Sequence, residues 1–234
     1  MASENPPREV KRSHIRDIIL GGQDGLVNVL GVILAVATAT NDSKIVIIAG
    51  LAAAFAESIS MAAVAYTSSK AANDYYKRKL AQEKRDVIEK PDEERKEIYD
   101  VYSKKGFKGT LLNSIVKKIT SDKSLWVETM MAEEHRLYPE DYDSPKKSAL
   151  VVGLAAIVGS FIPLLPFLFL SIKLGIITSV AASTIALFAT GAITAKLTIG
   201  GWKKSGAEMA LVGISAAVAG YLIGYVLGVA VYAK

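Results

Sequence analysis

The sequence predicts an all-α integral membrane protein with five transmembrane helices and a charged three-helix insert, and three observations carry that expectation. Apolar residues make up 51% of the 234 positions although 22% are charged, and mean hydropathy is +0.30. The charges are segregated: 18 of 28 Lys and Arg and 16 of 23 Asp and Glu fall within residues 70–147. Outside that insert lie five apolar stretches, about 15–39, 45–68, 149–170, 174–199 and 207–232. Each is long enough, at about 1.5 Å per residue, to cross a hydrocarbon layer of about 30 Å. A soluble globular protein and a disordered chain are both excluded.

Arg8, Lys11, Arg12 and Arg16 precede the first span, and Lys196, Lys203 and Lys204 join the fourth to the fifth. The opposite side carries only Lys44, Lys173 and Lys234. The positive-inside bias therefore predicts a cytoplasmic N-terminus and insert and an external C-terminus. The first span is too long for a signal-peptide core and contains Asp24 and Asn28, so it is read as a retained helix. The expected organisation is a cytoplasmic tail at 1–14, spans one and two at 15–70, the insert at 71–147 and spans three to five at 148–234. The net charge of +5 does not indicate nucleic acid, because the basic residues alternate with carboxylates or sit beside spans. The absence of cysteine removes thiolate metal sites, iron–sulfur clusters and cysteine nucleophiles.

In the insert, the second span is expected to continue past Tyr75 and Tyr76 toward Ile88. Pro91 then opens a helix that Gly106 closes, and two further helices follow at about 108–120 and 122–137. Pro163 and Pro166 are expected to bend or end the third span. Gly220, Gly224 and Gly228, four apart on the fifth, leave a face free of side chains for close helix packing.

Polar residues inside spans mark pathways, because burying charge in hydrocarbon is costly. Asp24 is flanked by Gly21, Gly22 and Gly25 on the first span, and Glu57 lies 13 residues from both Lys44 and Lys70 on the second, with Met61 one turn further along. Counting in from Arg16 and Lys70 puts Asp24 and Met61 at one depth, roughly 12 to 13 Å. Carboxylate and thioether at one level suit a transition cation better than Mg²⁺ or Ca²⁺, which prefer oxygen throughout. In the insert, Glu83 and Asp86 are three apart, as are Glu94 and Glu97, so each pair shares a helix face. Met130, Met131 and Glu134 share a face of the last helix. Helices presenting acids and thioethers toward one another would hold a divalent transition metal. The alternatives at these positions are solvated charge and a hydrophobic methionine contact.

Asp24 within Gly-Gly-Gln-Asp-Gly-Leu-Val, the segment Ala-Glu-Ser-Ile-Ser-Met ending at Met61, the Tyr-x-x-x-Lys-Ala exit from the second span and the helical insert together resemble the vacuolar iron transporter family. The resemblance covers residues 15–232. It implies a five-span homodimer with a cytoplasmic three-helix metal-binding domain that exports Fe²⁺ from the cytosol in exchange for protons. It also implies metal ligands at Glu83, Asp86, Glu94, Glu97, Met130, Met131 and Glu134, and a membrane site at Asp24 and Met61. Asp86 stands where the family usually has Glu, one methylene longer. Glu57 is added from its position and charge as the carrier of the counter-proton.

His14 falls in the basic N-terminal region, and His135, next to Glu134, is expected to face solvent, with contact to a metal as the alternative. Ala132 and Lys11 stand three before the two histidines, so the paired Glu-x-x-His motifs of a di-iron oxidase are missing. No phosphate-binding glycine loop indicates a nucleotide-driven pump. The expectation is a secondary transporter and not an enzyme, with Fe²⁺ as substrate, Mn²⁺, Co²⁺ or Zn²⁺ as possible substitutes, and no tightly bound cofactor. A membrane-anchored metal sensor or buffer is the alternative. Protons, the lipid bilayer and a second copy of the chain are the expected partners, and the cell membrane is placed ahead of the vacuolar membrane.

Overall fold

The computed structural model describes residues 8–139, 144–197 and 200–232. Its elements are α1 (Arg8–Thr40), α2 (Ser43–Glu89), α3 (Pro91–Lys104), α4 (Gly109–Thr120), α5 (Lys123–Glu133), α6 (Pro145–Phe169), α7 (Ile172–Leu197) and α8 (Trp202–Tyr232). No strand occurs among the described residues. Five helices are long and apolar enough to cross a membrane: α1 from Ile15, α2, α6, α7 and α8. The chain is a multi-pass membrane protein. The side chains of residues 1–14, including His14 and the basic residues before Ile15, lie outside the described residues. The chain divides into two compact units, one containing Ser68–Ser144 and the other Lys11–Thr67 with Pro145–Lys234.

In the spanning unit α1 is the central helix. One face packs Val29, Ile33 and Ala37 against Val46 and Ala54 of α2 and Leu164 and Phe167 of α6. The other packs Leu30 and Leu34 against Ala217 of α8. The glycine stripe on α8 does what its spacing predicts. A Cβ on Gly220 would collide with the carbonyl oxygen of Gly31, and one on Gly224 with that of Ala35, so backbones of α8 and α1 touch directly. Gly21 and Gly25 of α1 are likewise crossed by the Val152 and Ala156 carbonyls of α6. Without a hydrophobic drive between helices in lipid, such contacts and a few buried hydrogen bonds supply the specificity. Ser148 Oγ donates to Asp17 Oδ2 at 2.6 Å, and Ser58 Oγ to the Gly153 carbonyl at 2.8 Å. Large side chains such as Ile48, Ile59, Val158, Ile177 and Ile185 point outward, as lipid-facing positions should.

Two local features differ from expectation. Helix α6 runs through both Pro163 and Pro166 and ends only at Phe169. Ser179 Oγ on α7 donates to the Pro163 carbonyl at 2.7 Å, a neighbouring-helix bond of the kind that accommodates proline within a span. Helix α5 ends at Glu133 rather than near Leu137, because Arg136 adopts a left-handed φ of 55° and reverses the chain.

The other unit has a water-soluble type of core. Val87 of α2, Ile98 of α3, Leu112, Val116 and Ile119 of α4, and Trp126, Val127, Met130 and Met131 of α5 form one buried cluster. Pro91 at the start of α3, with Asp92, Glu93 and Glu94 in its first turn, sets the corner after α2. Asp122 caps α5, accepting from the Ser124 and Leu125 amides at 2.8 and 3.3 Å.

Candidate metal site

The acids of the Ser68–Ser144 unit lie on either side of the corner between α2 and α3. Proline lacks an amide hydrogen and cannot continue α2, so Lys90 alone links the helices. Glu83 and Asp86 sit in the last turns of α2, and Glu94 and Glu97 in the first turns of α3. A bend between them converts a sequence gap of eight into spatial proximity. Packing Val87 and Ile98 into the common core then fixes the two pairs against α5.

Glu83 and Glu94 are buried, at 4% and 6% exposure, in a unit whose other charges are mostly solvated. Glu83 Oε2 and Glu94 Oε2 have no hydrogen-bond partner. A buried carboxylate oxygen left unpaired is costly and marks where a cation fits. Burial pushes the Glu94 carboxyl up to about 7, reinforced by the charges of Glu83, Glu97, Asp86 and Glu134. Glu97, at the rim, is also raised, first by partial burial and then by the charge and hydrogen bond of Glu134, with His135 opposing. Five carboxylates from α2, α3 and the end of α5 thus act on one another, including Asp86 with its shorter side chain.

Around Glu134 the structure departs from the expectation for histidine. After Glu134 the left-handed Arg136 turns the chain, and Leu137 N–H donates to the Met131 carbonyl at 2.9 Å. His135 is thereby directed inward instead of facing solvent, with Nε2 2.8 Å from Glu83 Oε1. Donor atoms of Glu83, Glu134 and His135 lie within 4.8 Å of one another. Met130 and Met131 are 1% and 2% exposed and belong to the apolar core.

In the spanning unit, Asp24 and Glu57 are both half-buried, on α1 and α2. The Glu57 carboxyl lies beside the side chains of Asp24 and Asn28 of α1. Asp24 and Asn28 are four apart on α1, so both face α2. Met61 is half-buried one turn beyond Glu57 on α2. From sequence, Asp24 and Glu57 are separate members of a path and Asn28 is not placed beside Glu57, although its four-residue spacing from Asp24 carries that signal.

Comparison with known proteins decides the family. A profile described as the VIT family matches residues 15–225. The chain belongs to the VIT family. The vacuolar iron transporter 1 of Tulipa gesneriana is 30% identical, over 94% of this chain and 92% of that protein. The protein of the same name from Oryza sativa subsp. japonica is 31% identical, over 88% and 82%. Protein CCC1 of Saccharomyces cerevisiae is 28% identical, over 92% of this chain and 69% of the yeast protein. These matches span both units of this VIT-family chain, so the resemblance is not confined to the apolar helices.

Proposed function

We propose that the chain is a secondary transporter that moves Fe²⁺ out of the cytosol in exchange for protons. The observation that carries this reading is the gathering of Glu83, Asp86, Glu94, Glu97 and Glu134, with two buried carboxylate oxygens unpaired. Carboxylate oxygens gathered in this number suit a divalent cation. Relatives named vacuolar iron transporters support iron as that cation. In this mechanism the insert, residues 71–147, is cytoplasmic and collects Fe²⁺, with Met130 and Met131 contributing thioether sulfur. Asp24 and Met61 then pass the ion through the membrane. Glu57, beside Asp24 and Asn28, takes a proton as the metal leaves and returns it when metal arrives. Mn²⁺, Co²⁺ and Zn²⁺ are alternative substrates of the same donors. The working unit is a homodimer in the cell membrane.

Purified protein in liposomes loaded with an iron-quenched dye and a pH dye tests this reading. Inward Fe²⁺ movement with opposing proton flux is the expected result. Binding without dye quenching would make the chain a membrane-anchored sensor or buffer. In Glu57→Gln, iron-driven proton flux should fall to background while Fe²⁺ binding persists; unchanged proton flux removes Glu57 from the mechanism.

A further inference from the structure

His135 is absorbed by none of the roles above, yet the fold turns its ring onto the buried Glu83, whereas the described Lys and Arg contacts of the insert fall on other carboxylates. Its Nε2 is 2.8 Å from Glu83 Oε1, and its side chain is only 13% exposed. Glu83 itself is buried, and its second oxygen has no partner. A structural histidine–glutamate bond would explain Oε1 and leave Oε2 unexplained. An ion would engage both. Donors about 2 Å from one metal stand about 3 Å apart when adjacent and about 4 Å apart when opposite. Glu83, Glu134 and His135 offer atoms within 4.8 Å of one another, a spacing that one ion can span with side-chain adjustment.

We propose that His135 is a nitrogen ligand to the divalent ion held by the insert, sharing it with Glu83 and Glu134, and that it biases the site toward Fe²⁺ over Mn²⁺. This rests on the reading of the insert as a metal site. The chemical basis is that imidazole suits iron, cobalt, nickel and zinc, whereas an all-carboxylate set suits manganese as well. The sequence holds just two histidines, and the side chain of the other, His14, lies outside the described residues.

That count makes the test assignable. Full-length protein in detergent is loaded with one equivalent of Mn²⁺ and examined by pulsed electron paramagnetic resonance for modulation from a coordinated imidazole nitrogen. The parent and His14→Gln should show it, and His135→Leu should lose it. Anaerobic calorimetry should give a drop in Fe²⁺ affinity of about tenfold in His135→Leu, with Mn²⁺ affinity changed by less than about threefold. Bound Mn²⁺ with no nitrogen modulation in the parent, which needs no variant to fold, overturns the proposal and leaves the carboxylate site standing. Modulation that persists in His135→Leu also overturns it. If the parent binds neither ion, the insert is not a metal site and both readings fail.

Discussion

The spanning unit and the Ser68–Ser144 unit handle polar groups in opposite ways. In the first, charged side chains are few and the described buried polar groups mostly have partners: Asp17 with Ser148, Ser58 with a carbonyl of α6, Ser179 with the carbonyl of Pro163. Small residues let backbones touch, and no carboxylate cluster opposes the packing except Asp24 with Glu57. In the second, burial against an apolar core, reinforced by four neighbouring carboxylates, raises Glu94 to about 7. The comparison teaches that repulsion is built where a cation can relieve it. One unit positions a narrow polar step within a helical bundle, and the other gathers carboxylates at one place although residues 70–147 carry 18 Lys and Arg against 16 Asp and Glu.

Breaking the spanning side of this comparison should have the largest effect. Asp24→Ala removes the carboxylate that contacts Glu57, and Met61→Ala removes the thioether one turn away. Both variants should transport Fe²⁺ at background rates in liposomes while calorimetry gives insert affinities within about twofold of the parent, since sites with no shared partners are nearly independent. Normal transport by Asp24→Ala would show that the acid pair is structural.

The next effect belongs to the insert. Glu94→Gln with Glu97→Gln keeps shape and removes two charges, so divalent affinity should fall on the order of 100-fold. The same change should stabilise the metal-free insert. Acidification should do likewise: Glu94 has a raised pKa in the folded state, so the folded state binds its proton more tightly than the unfolded chain does. Metal-free stability therefore rises as pH falls from about 7 toward the ordinary glutamate range, and metal binding near pH 6 should release protons. Calorimetry in buffers of different ionisation enthalpy measures that release, which should shrink at pH 8. Proton release unchanged between the two pH values would contradict a raised Glu94.

Much of this was legible in the sequence because hydropathy and spacing are local properties. The five spans, the α8 glycine face and the paired acids follow from runs and intervals, and the corner at Lys90 and Pro91 is visible as a helix breaker. What was not legible depended on single backbone angles or on distant partners. The inward turn of His135 follows from the left-handed Arg136, a conformation for which arginine gives no signal. Passage of α6 through Pro163 is accompanied by a hydroxyl on another helix. The burial of Met130 and Met131 was legible only as an alternative, since an apolar sulfur-containing side chain suits a core as well as a soft ligand.

That ambiguity sets the last and smallest expected effect. Met130 and Met131 are among the most buried residues of the insert, packed with Ile98, Leu112 and Trp126. Changing both to Leu keeps volume nearly constant, so thermal unfolding of the full-length protein should shift by no more than about 1.5 kcal/mol per site. Deleting two sulfurs from a site dominated by carboxylates should lower Co²⁺ affinity by a factor of a few, roughly three to ten, and leave Mg²⁺ affinity unchanged, because Mg²⁺ gains little from thioether. The contrast between the two ions is the informative quantity, since a repacking artefact would weaken both together. Equal Co²⁺ affinity in parent and variant would assign both methionines to the core alone, and selectivity for transition metals would then fall to nitrogen and oxygen donors, with His135 the first to examine.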